Sequence, residues 1–184
     1  MINRQQQQEL LTLCHEVIHH GLLTSNKFEL NPGNYSQELQ QPAATFVTLN
    51  MNEQLRGCIG SLQAYRSCVE DVAENACAAA FRDPRFPPLS LPEFEKLNYH
   101  VSILQPSTEL SVESEEELIE TLRPGIDGLI IEDSVHRATF LPVVWQSLPD
   151  ARSFVTHLKQ KAGLPVNYWS ETLRFKRYEV QEFN

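Results

Sequence analysis

Phe46–Gly60 reads FVTLNMNEQLRGCIG, and the architecture follows from how this segment is parsed. Two runs with strand character, Thr45–Asn50 and Gln54–Ile59, flank the polar pair Asn52–Glu53, the pattern of two strands joined by a tight turn. Downstream, Ser67 and Glu70 form an S-x-x-E capping box, and Val69, Val72, Ala73, Ala76 and Ala80 mark one face of an alanine-rich helix. A strand-turn-strand unit that then feeds a helix builds antiparallel ladders, not the alternating strands and crossovers of a doubly wound sheet.

The same unit returns later. Gly128–Pro142, GLIIEDSVHRATFLP, again reads as two strands about a turn at Asp133 and Ser134. A short helix is expected around Trp145, then a longer one over Ala151–Ala162, with Asp150 as N-cap and Gly163 as its stop. Between the two hairpins, Ser90 and Glu93 offer a second capping box, Tyr99, Val101 and Ile103 alternate as a strand does, and Ser114 with Glu117 opens a helix towards Leu122. An amphipathic helix spans Asn3–Gly21 with Leu10, Leu13, Cys14, Val17 and Ile18 inward, Ser25–Pro42 is a surface loop, and LRFKRYEVQEF closes the chain as one strand. The expectation is an α+β fold, a mainly antiparallel sheet carrying hairpin-helix units. The repetition hints at an internal duplication, although no residue pattern recurs at a fixed period.

With 184 residues and 41% hydrophobic side chains, the chain can bury the core of one domain, expected to cover residues 1–184. Fifteen basic residues face 24 acidic ones, a formal charge of -9, which disfavours binding to nucleic-acid phosphates or anionic lipid. The basic run Arg174–Arg177 would lie on a strand and divide its charges between two faces. No apolar run approaches the length of a membrane span, and the polar start MINRQQQQEL has no signal-type core, so a cytoplasmic location is expected. The four cysteines, Cys14, Cys58, Cys68 and Cys77, lack the spacing of a zinc site or a C-x-x-C motif and are read as free thiols in a reducing compartment. No cofactor or metal is expected: His15 and His19 share a helix face without further ligands, and His100, His136 and His157 are scattered over different elements.

Strict alternation along the second strand puts Leu55, Gly57 and Ile59 on a core face and Arg56, Cys58 and Gly60 on the other. Arg56 and Cys58 are then same-face neighbours, and a fixed positive charge beside a thiol favours the thiolate. Gly57 and Gly60 would let a ligand or another backbone approach the sulfur closely, and Gly60 could form a bulge. The competing reading is that Cys58 fills space in the core. Cys68, as the first helical residue, would have its pKa lowered by the helix N-terminus, against the reading of it as an ordinary surface or half-buried thiol, and Cys14 and Cys77 are read as core residues. Arg82, Asp83 and Arg85, on the bend FRDPRFPPL, are placed either to clamp an anionic ligand or to brace the loop through internal ion pairs.

LRGCIGSL, AAFRDPRFPPL, VSIL, PGIDGLIIED, ATFLP and LKQKAGLP, in this order from about Phe46 to the C-terminus, closely resemble the AMMECR-type family, the A component of the AmmeMemoRadiSam system in bacteria and archaea. The resemblance implies a cytosolic α+β domain with a larger and a smaller lobe, and partnership with a Memo-type protein and a radical SAM protein. It also implies a ligand or catalytic site at Leu55–Gly60, with the second motif at Asp83–Leu89. Family members often carry Gln or Glu directly after ATFLP, where this chain has Val143. Two functions compete on these grounds. One is a module binding a small molecule or those protein partners. The other is a transferase or hydrolase with Cys58 as nucleophile, Arg56 as its activating cation and Arg82 or Arg85 holding an anionic part of the substrate.

Overall fold

A computed structural model describes residues 1–24, 26 and 28–184; Ser25 and Lys27, within the expected Ser25–Pro42 loop, lie outside the described residues. The chain divides into two units, Met1–Leu104 with Gln181–Asn184, and Gln105–Val180.

In the first unit, helix α1 (Arg4–Leu23) starts at a capping box, with Asn3 accepting from Gln6 N, and buries Leu10, Leu13, Cys14, Val17 and Ile18. It runs past the expected stop at Gly21. That glycine stays helical, and a Cβ there would come within 2.6 Å of the Phe81 ring. Strands β1 (Ala44–Met51) and β2 (Gln54–Gly60) form the hairpin, turned by Asn52 and Glu53 with φ of 51° and 62°. Positive φ at both central positions is the turn geometry whose twist suits a two-residue hairpin. Helix α2 (Cys68–Phe81) follows its Ser67–Glu70 box, α3 (Leu91–Phe94) the Ser90–Glu93 box, and β3 (Leu97–Leu104) pairs antiparallel with β1. With β8 (Val180–Phe183) the sheet order is β2-β1-β3-β8. Val47, Leu49, Val101 and Ile103 meet α1 and α2 in one core.

A buried polar knot ties α2 to this sheet. Asp71, fully inaccessible, accepts from Thr45 N (2.8 Å), Thr45 Oγ1 (2.7 Å), Ser61 Oγ (2.8 Å), Arg66 Nε (2.7 Å) and Asn75 Nδ2 (2.9 Å). Asn75 also donates to Thr45 O at 3.0 Å. A carboxylate inside the core is tolerated because its lone pairs are all engaged and a guanidinium balances its charge.

The second unit holds β4 (Thr108–Leu110), α4 (Glu115–Thr121), β5 (Gly128–Glu132), β6 (Arg137–Phe140), α5 (Ala151–Lys161) and β7 (Arg174–Tyr178), with sheet order β4-β7-β5-β6. Its core stacks Trp145 on Phe154 at 3.8 Å. The helix expected around Trp145 is a 3-10 turn, Pro142–Gln146. Lys159 is fully buried, its ammonium on Glu115 (2.5 Å) and on Val166 O (3.2 Å). Both units share one connectivity: hairpin, helix, then a third strand laid beside the hairpin's first strand. The closing segment is two strands, β7 and β8, which pair in different sheets, and β4 escapes the alternation pattern altogether. The α+β class with antiparallel sheets holds. No helix among the described residues is long and apolar enough to cross a membrane.

Candidate functional site

Strand β2 is an edge of its sheet, and its register against β1 slips by one residue between Leu49 and Asn50. Leu49 faces Gly57 and Asn50 faces Leu55, so Arg56 is the extra residue of a β-bulge. One inserted residue reverses the alternation upstream of it. Downstream, the expected faces hold: Gly57 lies against α2, where a Cβ would stand 2.2 Å from Ala79 O, and Cys58 lies on the opposite face, in register with Thr48. Upstream they do not. Leu55 is 44% exposed and not core.

The bulge separates the two residues that alternation had paired. Arg56 is buried and turned onto Glu93, with Nε on Oε1 at 2.7 Å and Nη2 on Oε2 at 3.3 Å, while Nη2 also donates to Pro87 O at 2.9 Å. Its guanidinium carbon sits 5.6 Å from the Phe86 ring centroid. Nη1 is buried without a hydrogen bond among the described residues. The expected Arg56–Cys58 pairing is therefore corrected: this guanidinium is committed to the Glu93 carboxylate and the Pro87 carbonyl, and the cation with a charge interaction with Cys58 is Arg85.

Cys58 is half-buried, and its sulfur accepts a hydrogen bond from Thr48 Oγ1 at 3.2 Å. Because β2 is an edge, the Cys58 backbone needs partners beyond the sheet, and the bend after α2 supplies them. Cys58 N donates to Asp83 Oδ2 (2.9 Å), and Arg85 Nη2 donates to Cys58 O (3.2 Å). Arg85 in turn pairs with Asp83 at 2.7 Å. That pairing, with the backbone N–H groups of Cys58 and Arg85, holds the Asp83 carboxyl far below the usual range. Asp83 and Arg85 are thus brought to Cys58, but as a strap closing the sheet edge. Arg82 points elsewhere, exposed and paired with Glu74. Gly60 is required by contact, since a Cβ there would meet the Phe46 ring at 2.2 Å. The bulge falls at Arg56, not at Gly60.

Two further residues share the cysteine's face. Thr48 is in register with both Cys58 and His100, and His100 Nε2 lies 3.8 Å from Glu182 Oε2. Sequence spacing could offer His100 only as one of several scattered histidines; the register selects it. The other thiols differ. Burial pushes Cys14 up to about 12, and burial with the Asp71 charge pushes Cys68 to about 12, overturning the lowering expected from its helix-terminal position. Cys77 is raised by burial, partly offset by Arg82.

The Arg56–Glu93 pair titrates in acid. Arg56, then the Ser90 hydroxyl, lower Glu93 from 4.5 to about 2. A carboxylate depressed by folding stabilises fully above its unfolded pKa, and that contribution is lost as pH falls through the folded one. Urea midpoints measured at pH 7, 4.5 and 2.5 should therefore fall between the last two. In Glu93→Gln this part of the fall should vanish; an unchanged profile would show that the ion pair contributes nothing.

The AMMECR1 family model matches residues 11–183. The chain belongs to the AMMECR1 family. Among archaeal relatives, Protein MJ0810 of Methanocaldococcus jannaschii is 36% identical over 157 residues, 81% of this chain and 76% of that one. A protein of Methanothermobacter thermautotrophicus is 32% identical over 189 residues, covering 100% of this chain and 96% of its own. The crystal structure of the uncharacterised protein PH0010 from Pyrococcus horikoshii superimposes with a TM-score of 0.84 at 31% identity, over 98% of this chain and 92% of that one. This AMMECR1 chain thus has relatives matched over most of their length, and its bulged β2 carries the LRGCIG motif.

Proposed function

We propose that this AMMECR1-family protein is a binding module that engages a small ligand or protein partners, with Memo-type and radical SAM proteins of a modification pathway as the partners the resemblance implies. One observation carries the reading: the arginines of both motifs are spent on internal ion pairs, Arg56 with Glu93, Arg85 with Asp83 and Arg82 with Glu74. Guanidinium groups held by carboxylates brace a surface and draw an anionic substrate less strongly than free cations would. Around that frame, Leu55, Leu62, Tyr65 and Leu91 are large apolar side chains at 44%, 50%, 67% and 50% exposure, the kind of side chain a partner interface buries.

Co-purification with the Memo-type and radical SAM proteins tests it. Association should survive Cys58→Ala and weaken at least ~10-fold in Leu55→Asp/Leu91→Asp, as loss of apolar anchors would require. Absence of association under any condition, or its loss in Cys58→Ala alone, would count against the module.

The alternative, an enzyme with Cys58 as nucleophile, is favoured by a half-buried sulfur that receives the Thr48 hydroxyl in the same cross-strand row as His100. In that reading iodoacetamide at neutral pH labels Cys58 at least ~10-fold ahead of Cys14, Cys68 and Cys77. Equal labelling would end it.

A further inference from the structure

Within the first unit, a cavity of about 490 Å³ lies between one face of α1 and the start of β3. Its volume falls in the range of small-molecule sites, roughly 300–1,000 Å³. Gln8, Leu11, Thr12 and His15 recur at helical spacing, so α1 presents them as one stripe, and Leu97, Asn98 and Tyr99 join them from β3. Leu11 and Leu97 give the cavity an apolar floor, each partly buried and packed on the core. The rest of the lining is polar, and among the described residues it includes no carboxylate, ammonium or guanidinium side chain. Tyr99 Oη and His15 Nδ1 bond each other at 3.2 Å. The exposed Gln8, Thr12 and Asn98 side chains have no hydrogen-bond partner among the described residues and are served by solvent.

A ligand that enters must replace the water on these groups with bonds of equal quality. An apolar molecule would cover the two leucines and leave the carboxamides and the Thr12 hydroxyl unpaired. An ion would give up part of its hydration with no opposite side-chain charge to meet it. A carboxamide presents a donor and an acceptor side by side, and an alcohol is both at once, so Gln8, Asn98 and Thr12 are matched by adjacent hydroxyl groups on one molecule. A pyranose ring carries such hydroxyls around its rim, and its C–H face can lie on Leu11 and Leu97. We propose that this cavity binds a neutral hexose unit. It shares no residue with the LRGCIG strand and does not depend on what β2 engages.

The test is an amide NMR titration of the full chain with the methyl pyranosides of glucose, galactose and mannose, and with n-hexanol, uridine and glucuronate as comparators. At least one methyl hexoside should saturate with a Kd of about 1–10 mM, the affinity that an open site with a few hydrogen bonds supports. Shifts should centre on Gln8, Thr12 and Asn98 and leave the Cys58 amide unmoved. The three comparators should bind at least ~10-fold more weakly. Asn98→Ala and Gln8→Leu, both at exposed positions, should keep the parent urea midpoint and weaken the hexoside about threefold to tenfold. No saturation by any of the three hexosides up to about 100 mM, a comparator that binds as tightly as the best hexoside, or shifts centred away from α1 and β3 would each overturn the proposal.

Discussion

Replacing Asp71 by alanine should lower the free energy of unfolding by about 3–5 kcal/mol, a large part of the roughly 5–15 kcal/mol that a domain commands. The size of the effect comes from what the substitution leaves behind. Asp71 accepts from the Thr45 backbone and hydroxyl, Ser61, Arg66 and Asn75, and no water reaches it. Removing the carboxylate leaves Thr45 N, Thr45 Oγ1 and Ser61 Oγ without their buried acceptor and takes the counter-charge from the partly exposed Arg66, while Asn75 keeps its bond to Thr45 O. Asp71→Asn should fall short of rescue, because its amide presents a donor towards donors and leaves the Arg66 charge unbalanced. Urea unfolding followed by circular dichroism measures both. A loss under about 1 kcal/mol for Asp71→Ala would mean that the knot is ornamental and that α2 is held by apolar packing alone.

Gly57→Ala is the second large effect, about 3 kcal/mol. The added methyl would stand 2.2 Å from Ala79 O and 3.1 Å from Ala79 C, both backbone atoms of α2, so no rotamer relieves the clash and the helix itself must shift. Cys58→Ser one position away should cost within about 1 kcal/mol, its side chain being half-buried and already beside the Thr48 hydroxyl. A comparison of the two separates motif residues kept for packing from those left for chemistry. If Gly57→Ala unfolds at the same urea midpoint as the parent, the close approach of β2 and α2 is not a constraint, and the glycine would have to be explained by ligand access instead.

The family resemblance rested on short motifs, and the structure explains what two of them do locally. LRGCIG combines a bulge, a glycine under a helix and a glycine under Phe46. RDPRFPPL supplies the carboxylate, the guanidinium and the Pro87 carbonyl that fasten the β2 edge. The bracing role weighed for Arg82, Asp83 and Arg85 is the one in which all three are found engaged.

Both hairpins, the three S-x-x-E helix starts and the Gly163 stop at φ +80° were legible because each is encoded within a few residues of itself. The bulge at Arg56 was not, since a register slip is a property of two strands and only the partner reveals it. The break between β7 and β8 was equally hidden. Phe175, Tyr178 and Phe183 are all buried, which marks the core positions of the segment without telling which sheet each part pairs in. Buried Lys159 looks, in sequence, like any lysine on a solvated helix face until Glu115 and the Val166 carbonyl arrive from distant segments.

By itself, then, the sequence determined most of the elements, their antiparallel class and the family, because capping, periodicity and turn chemistry act over a handful of bonds. Only the tertiary structure decided which charge meets which, and so turned Arg56 from a neighbour of Cys58 into the partner of Glu93. Electrostatic pairing depends on distance in space, and a single inserted residue in a ladder is enough to redirect it.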